Sequence, residues 1–249
     1  MKERPHILQI TYLMNSGFAV ELEHTLLVFD AYEDPARALD KVFEKRAWDA
    51  VYFLASHSHY DHFNGDLLRR YAPYVTRYLL SHDIRHTVGA RKLPAEKCVF
   101  LDDYSHWEAA GLAVDSYSST DIGTSFAVMT EGKILFHAGD YNWCDWTGDT
   151  HENRMLAANG FHKQLRRIAG LVADVAFFPV DGRLESSMAK GAKEFCAKTD
   201  VRALVTMHSV GFPRWRVPDD FFEPGREIPV WSPVEAGETR EIDNKGDFR

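Results

Sequence analysis

The sequence of 249 residues has little of what marks a disulfide-bonded, membrane-spanning or disordered protein. Its three cysteines, at positions 98, 144 and 196, are too few for a disulfide framework and favour a reducing compartment. The longest apolar runs, such as Ala50–Ala55, are far shorter than the roughly 18–20 residues that span a bilayer. Only 16 glycines and 10 prolines, beside 13% aromatic residues, argue against a disordered or linker-rich chain.

The chain also lacks an excess of positive charge. Its 29 basic and 37 acidic residues give a net charge of −8, so nucleic acid is not an expected partner. The first six residues are mostly charged or polar, and no long apolar segment follows them. We therefore expect no secretory signal, no membrane contact and a cytoplasmic location.

The pattern of strands and helices predicts a single domain over residues 1–249, because no linker or internal repeat divides the chain. Strand patterns outnumber helix patterns, and hairpins alternate with helical connections. This mixture predicts an α/β (α+β) protein in which sheets pack face to face with helices outside.

Three local features give sharper expectations. Asp34 followed by Pro35 predicts the start of a helix that extends to Ala47. Glu131-Gly132 predicts a two-residue hairpin turn. The stretch after Pro213 is rich in proline and charge, and we expect it to be irregular.

The strongest chemical signal is His57-Ser58-His59-Tyr60-Asp61-His62, which directly follows the buried strand pattern Ala50–Ala55. Imidazole and carboxylate groups are ligands for zinc and similar metals. In an extended loop His57 and His59 project to the same side, so they can share one ion, while Asp61 and His62 can face a second.

These residues resemble the His-x-His-x-Asp-His signature of the metallo-β-lactamase-fold hydrolases. The likeness continues in Ile134–Asp140, similar to the family strand that ends in Gly-Asp, and in Val205–His208, similar to its last strand. The segments 15–18 and 28–30 match its opening hairpin. The chain looks closest to the branch that contains L-ascorbate 6-phosphate lactonase. The resemblance implies a four-layer αβ/βα sandwich with metals in the cleft between the sheet edges.

The resemblance also implies a set of ligands and a reaction. His57 and His59 would bind one ion, while Asp61, His62 and His208 would bind a second, with Asp140 bridging. The expected cofactor is zinc, as one or two ions, with manganese or iron as alternatives. A metal-activated water, oriented by Asp61 as the catalytic residue, would hydrolyse an ester, lactone or phosphoester of a small, anionic metabolite.

One departure from the family concerns the first ion. A third histidine is usual there, but the matching position is Ser119 or Thr120. Asp121 can substitute as an oxygen ligand, water can complete the site, or the enzyme can be mononuclear. We favour a retained but altered site, because the other six ligands are present.

Two further residues are candidates for a role beside the ligands. His137 could donate to substrate or orient a ligand from behind, although a hydrogen-bonded strand histidine is an equal alternative. Arg183 follows a buried strand and could clamp an anion, although a surface salt bridge is an even alternative.

Two other functions compete with the small-molecule hydrolase. A phosphodiesterase or nuclease of the same fold is disfavoured by the missing basic surface. A catalytically degraded, metal-binding fold that serves as a binding or sensing module has the lost histidine in its favour and Asp61 against it. The expected partner is a small-molecule substrate, and association with further copies of the chain stays open.

Overall fold

Two seven-stranded sheets form the centre of the structure, a computed structural model that describes residues 8–109 and 111–249. The first sheet contains, in spatial order, β16 (Thr239–Ile242), β1 (Leu8–Met14), β2 (Gly17–Glu21), β3 (Thr25–Phe29), β4 (Ala50–Ala55), β5 (Arg77–Ser81) and β6 (Cys98–Leu101). The second contains β15 (Val230–Trp231), β14 (Leu204–Met207), β12 (Val175–Pro179), β10 (Lys133–His137), β9 (Thr124–Thr130), β8 (Leu112–Ser118) and β7 (His106–Ala109). A small parallel sheet pairs β11 (Val172–Ala173) with β13 (Asp200–Val201).

Four α-helices accompany the sheets in the described part of the chain. They are α1 (Ala38–Lys45), α2 (Gly65–Arg70), α3 (His151–Ile168) and α4 (Lys190–Lys198). The longest, α3, buries a narrow apolar stripe of Phe161, Leu165 and Ile168, whereas its Met155 and Leu156 are exposed. Within residues 8–109 and 111–249, none of the helices combines the length and apolarity that a bilayer crossing requires.

The layers follow from alternating side chains on the strands. In β3, Phe29 faces the second sheet and lies 5.8 Å from the ring of Phe177, whereas Val28 packs in the core that includes α1 and α2. In β12, Phe177 faces inward and Phe178 faces the other way, where it stacks on Phe195 of α4 at 4.6 Å. Successive strand residues point to opposite faces, so both sheets are covered on two sides. The predicted four-layer sandwich is confirmed.

The hairpin turn is also confirmed, but the start of α1 is not where the sequence predicts it. Glu131 and Gly132 have φ values of 49° and 71°, which match the left-handed turn that suits a hairpin. Asp34 caps the backbone N–H groups of Ala38 and the next residue, each at 2.8 Å. The helix nevertheless begins at Ala38, because Arg37 has a left-handed backbone with φ of 52°.

The expectation of an irregular segment after Pro213 is partly wrong. β15 extends the second sheet beside β14, and β16 pairs antiparallel with β1. Both strands are short, and in β16 only Ile242 is fully buried. Their pairing partners lie far away in the sequence, so no local pattern indicates these strands.

Candidate metal centre

The candidate site lies where strands of the two sheets end against each other. β4 leads into the histidine motif, β10 leads into Asp140, and β14 leads directly into His208. Within each sheet the neighbouring parallel strands β3–β4 and β10–β12–β14 present their carboxyl ends at the same edge. Ligand sites form at such edges in α/β structures.

The backbone around this edge is strained at non-glycine residues. Asn15, Asp30 and His208 have φ values of 54°, 41° and 64°. A left-handed backbone is costly for such residues and is concentrated at functional sites. Here it turns the side chains of Asp30 and His208 from the strand ends towards the motif.

The first group of metal-ligating atoms joins His57, His59 and Asp140. His57 Nε2 lies 3.1 Å from His59 Nδ1 and 3.6 Å from Asp140 Oδ2. His57 is fully buried, whereas the side chain of His59 is 45% exposed. This group therefore opens towards solvent on the side of His59.

The second group joins Asp61, His62 and His208. Asp61 Oδ2 lies 3.8 Å from Nε2 of both histidines. The other carboxylate oxygen of Asp140, Oδ1, lies 3.1 Å from His62 Nε2 and 3.3 Å from His208 Nε2. Asp140 therefore faces both groups, one oxygen towards each.

Three atoms of the second group test whether a cation fits. His62 Nε2, His208 Nε2 and Asp140 Oδ1 are buried and have no hydrogen-bond partner within residues 8–109 and 111–249. Buried polar atoms are normally satisfied, and these three converge on one point. Nitrogen and oxygen donors in this arrangement suit zinc and similar divalent ions.

Asp30 and Ser56, which the sequence analysis did not assign, fix the two buried motif histidines from behind. Asp30 accepts the Ser56 hydroxyl at 2.6 Å and lies 2.7 Å from His62 Nδ1. Because the Ser56 hydroxyl is donated to Asp30, its oxygen accepts from His57 Nδ1 at 2.9 Å. Both rings thus carry a proton on Nδ1, which leaves Nε2 as the nitrogen that faces the site.

Asp181 fixes His208 from behind in the same way, and the sequence analysis did not assign it either. Its Oδ2 lies 3.3 Å from His208 Nδ1. Arg183 binds Asp181 with Nη2 at 2.6 Å from Oδ2, and the same nitrogen lies 3.2 Å from His208 Nδ1. The structure therefore places Arg183 at the cleft, in a salt bridge that supports Asp181.

Neighbouring charges and burial shift the protonation of the histidines in the site. Burial, together with the neighbouring His62, lowers the pKa of His57 to about 4, so His57 is a neutral donor. Burial opposes protonation of His62 as well, but Asp140 and Asp30 outweigh it and raise the pKa of His62 to about 10. Against its burial, Asp140 and Asp181 raise the pKa of His208 to about 9. An ion in the second group must therefore displace protons at neutral pH.

The loop that lacks the third histidine passes beside the first group. The Thr120 hydroxyl donates to the carbonyl of Asn142 at 2.8 Å and accepts from its N–H at 2.9 Å. The hydroxyl of Ser119 accepts the backbone N–H of Asp121 at 3.3 Å. Asp121 Oδ2 lies 4.0 Å from His59 Nδ1. Ser119 and Thr120 therefore shape the loop, and the carboxylate of Asp121 lies beside His59 of the first group.

His137 is not among the residues that line the cleft. Its ring is fully buried, with Nε2 donating to the carbonyl of Ser16 at 2.9 Å and Nδ1 accepting from Gly139 N–H at 3.2 Å. It also stacks on Phe29 at 5.0 Å. These contacts hold the turn that precedes Asp140.

A cleft of about 420 Å³ opens above the two groups. It is lined by His59, Tyr60, Asp61, Asp121, Asp140, Asn142, Cys144, Trp146, Pro179, Asp181, Arg183 and His208. Tyr60 is 86% exposed and stands at the rim, a position that only the fold reveals. Burial raises the pKa of the Cys144 thiol to about 11, so this cysteine is not a thiolate.

Comparisons with known proteins bear on the fold and class. No protein-family model matches the chain. A protein of Opitutus terrae named UPF0173 metal-dependent hydrolase is 27% identical over 255 residues, which cover 94% of this chain and all of that protein.

Solved structures show the same fold. Igni18, a metallo hydrolase of Ignicoccus hospitalis, superposes with a TM-score of 0.63 at 20% identity, over 95% of this chain and 99% of that one. The metallo-β-lactamase fold protein YhfI of Bacillus subtilis gives a TM-score of 0.55 at 14% identity, over 95% and 99%. A mutant of the CmlA β-hydroxylase gives 0.55 at 12% identity, over 98% of this chain and 55% of that one.

The chain therefore has the metallo-β-lactamase fold. The relative from Opitutus carries the name of a metal-dependent hydrolase, and the two groups of donors around Asp140 in this chain are of the kind that hold metal ions.

Proposed function

We propose that this chain hydrolyses an ester, lactone or phosphoester bond of a small anionic metabolite and uses one or two divalent ions, with zinc as the expected metal. The observation that carries the proposal is the position of Asp140, whose two oxygens face two separate groups of buried and half-buried donors. A shared carboxylate between two such groups is what a two-ion hydrolytic site requires. The resemblance to the ascorbate 6-phosphate lactonase branch supports a lactone or ester among the substrates.

Asp61 is the residue placed to handle the attacking water. Divalent ions held by these residues would lower the pKa of water towards neutral and would polarise the oxygen of the attacked group. The carboxylate of Asp61 is 26% exposed to the cleft, while its Oδ2 accepts from Asn15 Nδ2 at 3.1 Å. Asn15 thus fixes one face of the carboxylate, and the other can orient a water and take its proton.

The cleft favours a small, negatively charged substrate. Its volume is in the range of small-molecule sites. Two divalent ions balance the charge of the four cleft carboxylates, and Arg183 then leaves the site with one positive charge. The net charge of −8 on the whole chain disfavours a long nucleic acid substrate.

The test is an activity screen of the protein loaded with Zn²⁺ or Mn²⁺ against lactones, thioesters, phosphodiesters and phosphorylated sugars. For the substrate found, we expect Asp61→Ala to lower turnover by at least about 100-fold, as expected when a proton-transfer group is lost. Circular dichroism checks the fold, and Asp103→Ala, an exposed aspartate in the turn after β6, is the control. Unchanged turnover in Asp61→Ala, or a protein that binds neither metal, would contradict the proposal.

A further inference from the structure

The two groups of donors differ in number and in exposure. The second group has four donors, because Asp140 Oδ1 joins Asp61, His62 and His208. Both of its histidines are buried. The first group has three donors, of which His59 is nearly half exposed. A four-coordinate ion is therefore complete in the second group and lacks one protein ligand in the first.

Asp121 carries a carboxylate beside His59, on the open side of the first group. Its carboxylate is 49% exposed, and Oδ2 lies 4.0 Å from His59 Nδ1. Its other oxygen, Oδ1, accepts the backbone N–H of Ile122 at 2.8 Å, which fixes the direction of the side chain. Carboxylate oxygen is an accepted ligand of zinc and is preferred by manganese.

The backbone that carries Asp121 is fixed to the ligands of the first group on both sides. Before it, Thr120 bonds to the segment that follows Asp140. After it, the N–H of Thr124 donates to the Ser56 carbonyl at 2.8 Å. A Cβ on Gly123 would lie 2.4 Å from the Cβ of His57, so loop and motif are in direct contact. Asp121 therefore keeps its position relative to His57 and His59.

We propose that Asp121 is the fourth protein ligand of the first ion, and that the first site, closed by this exposed carboxylate, holds its ion more weakly than the second. With Asp121, each site has two imidazoles and two carboxylate oxygens, so the expected difference in affinity comes from the exposure of His59 and Asp121. The inference depends on the metal centre of the proposed function, but not on its substrate.

The test is a calorimetric titration of the chelator-treated full chain with Zn²⁺, with bound zinc counted by mass spectrometry after gel filtration. We expect two phases in the wild type. Asp121→Ala weakens the weaker phase by at least about tenfold, and leaves the tighter one within twofold. Asp121→His, which restores an imidazole, strengthens the weaker phase. Asp103→Ala, the matched exposed aspartate, leaves both phases as in the wild type.

The outcomes separate this inference from the proposed function. Wild-type protein that binds no zinc would overturn both. Two bound zinc ions with unchanged affinities in Asp121→Ala would overturn the role of Asp121 and leave the hydrolase proposal intact. Loss of both phases in Asp121→Ala, with an unchanged circular dichroism spectrum, would also overturn the inference. Asp121 would then affect both sites rather than the first site alone.

Discussion

At the scale of single residues, the site depends on acidic groups that do not face the cleft. Asp30 is buried, and its carboxylate holds His62 and Ser56 while Ser56 holds His57. Burial opposes its charge, but His137 and His62 keep its pKa below the ordinary value, so Asp30 remains ionised. One carboxylate thus determines the proton positions of two histidines that serve different ions.

We therefore predict that Asp30→Asn weakens zinc binding at the second site by about 10–100-fold, as loss of a partner behind a metal ligand does. The amide keeps the size of the side chain and removes the charge that holds the Nδ1 proton of His62. Affinity is measured by competition with a zinc-binding dye. Asp34→Asn is the control, because Asp34 also accepts two backbone N–H groups but caps α1 away from the site. Equal zinc affinities in both variants would refute the role of Asp30.

The residues that could be predicted are marked by local sequence. His57, His59, Asp61 and His62 lie within six residues of one another, and His208 directly follows a strand pattern. Asp30, Ser56 and Asp181 were missed, because their function depends on contacts across parallel strands or with a distant histidine. A useful signal was present, since Asp30 directly follows the strand that pairs with the one before the motif.

At the scale of elements, local patterns determined most strands and helices, while long-range pairings did not follow from them. Ala50–Ala55 is β4 as the continuous apolar run predicts, because a strand covered on both faces is apolar throughout. By contrast β16 pairs with β1 across more than 200 residues and buries little. Contacts between loops could not be predicted either, and the contact of Gly123 with Ser56 and His57 is an example.

Gly123 lets the Asp121 loop approach the motif, and we predict that Gly123→Ala both destabilises the protein and weakens metal binding. With φ of 82°, its Cβ would lie 2.2 Å from the Ser56 carbonyl oxygen. Backbone strain and overpacking together cost about 3 kcal/mol. Gly132→Ala is the matched control, since Gly132 has φ of 71° but open space around it, which leaves strain of about 1 kcal/mol. Urea unfolding measures the free energy of unfolding of both variants. An equal decrease in the two variants would contradict the close contact between Gly123 and the motif.

At the scale of the whole molecule, one carboxylate ties the helical layer to the cleft. Asp145 is nearly buried and lies in the segment between Asp140 and α3. It accepts from Arg154 of α3 at 2.5 and 3.0 Å, from Ser187 at 3.2 Å and from Lys190 of α4. The two helices and the wall of the cleft therefore share a single anionic centre.

This centre makes stability depend on acid in a specific way. The hydrogen bond from Arg154, helped by Lys190, lowers the pKa of Asp145 below the value of about 3.9 for an unfolded chain. A lowered pKa in the folded state stabilises fully above pH 4, and the stabilisation is lost as the pH falls towards the folded value. Because both cations are partly exposed, we expect Asp145→Asn to lower the free energy of unfolding at pH 7 by about 2 kcal/mol. Urea unfolding at pH 7, 4 and 2.5 should show that the difference in unfolding free energy between the wild type and Asp145→Asn is smallest at pH 2.5. A difference that stays constant with pH would mean that the charge of Asp145 does not cause it.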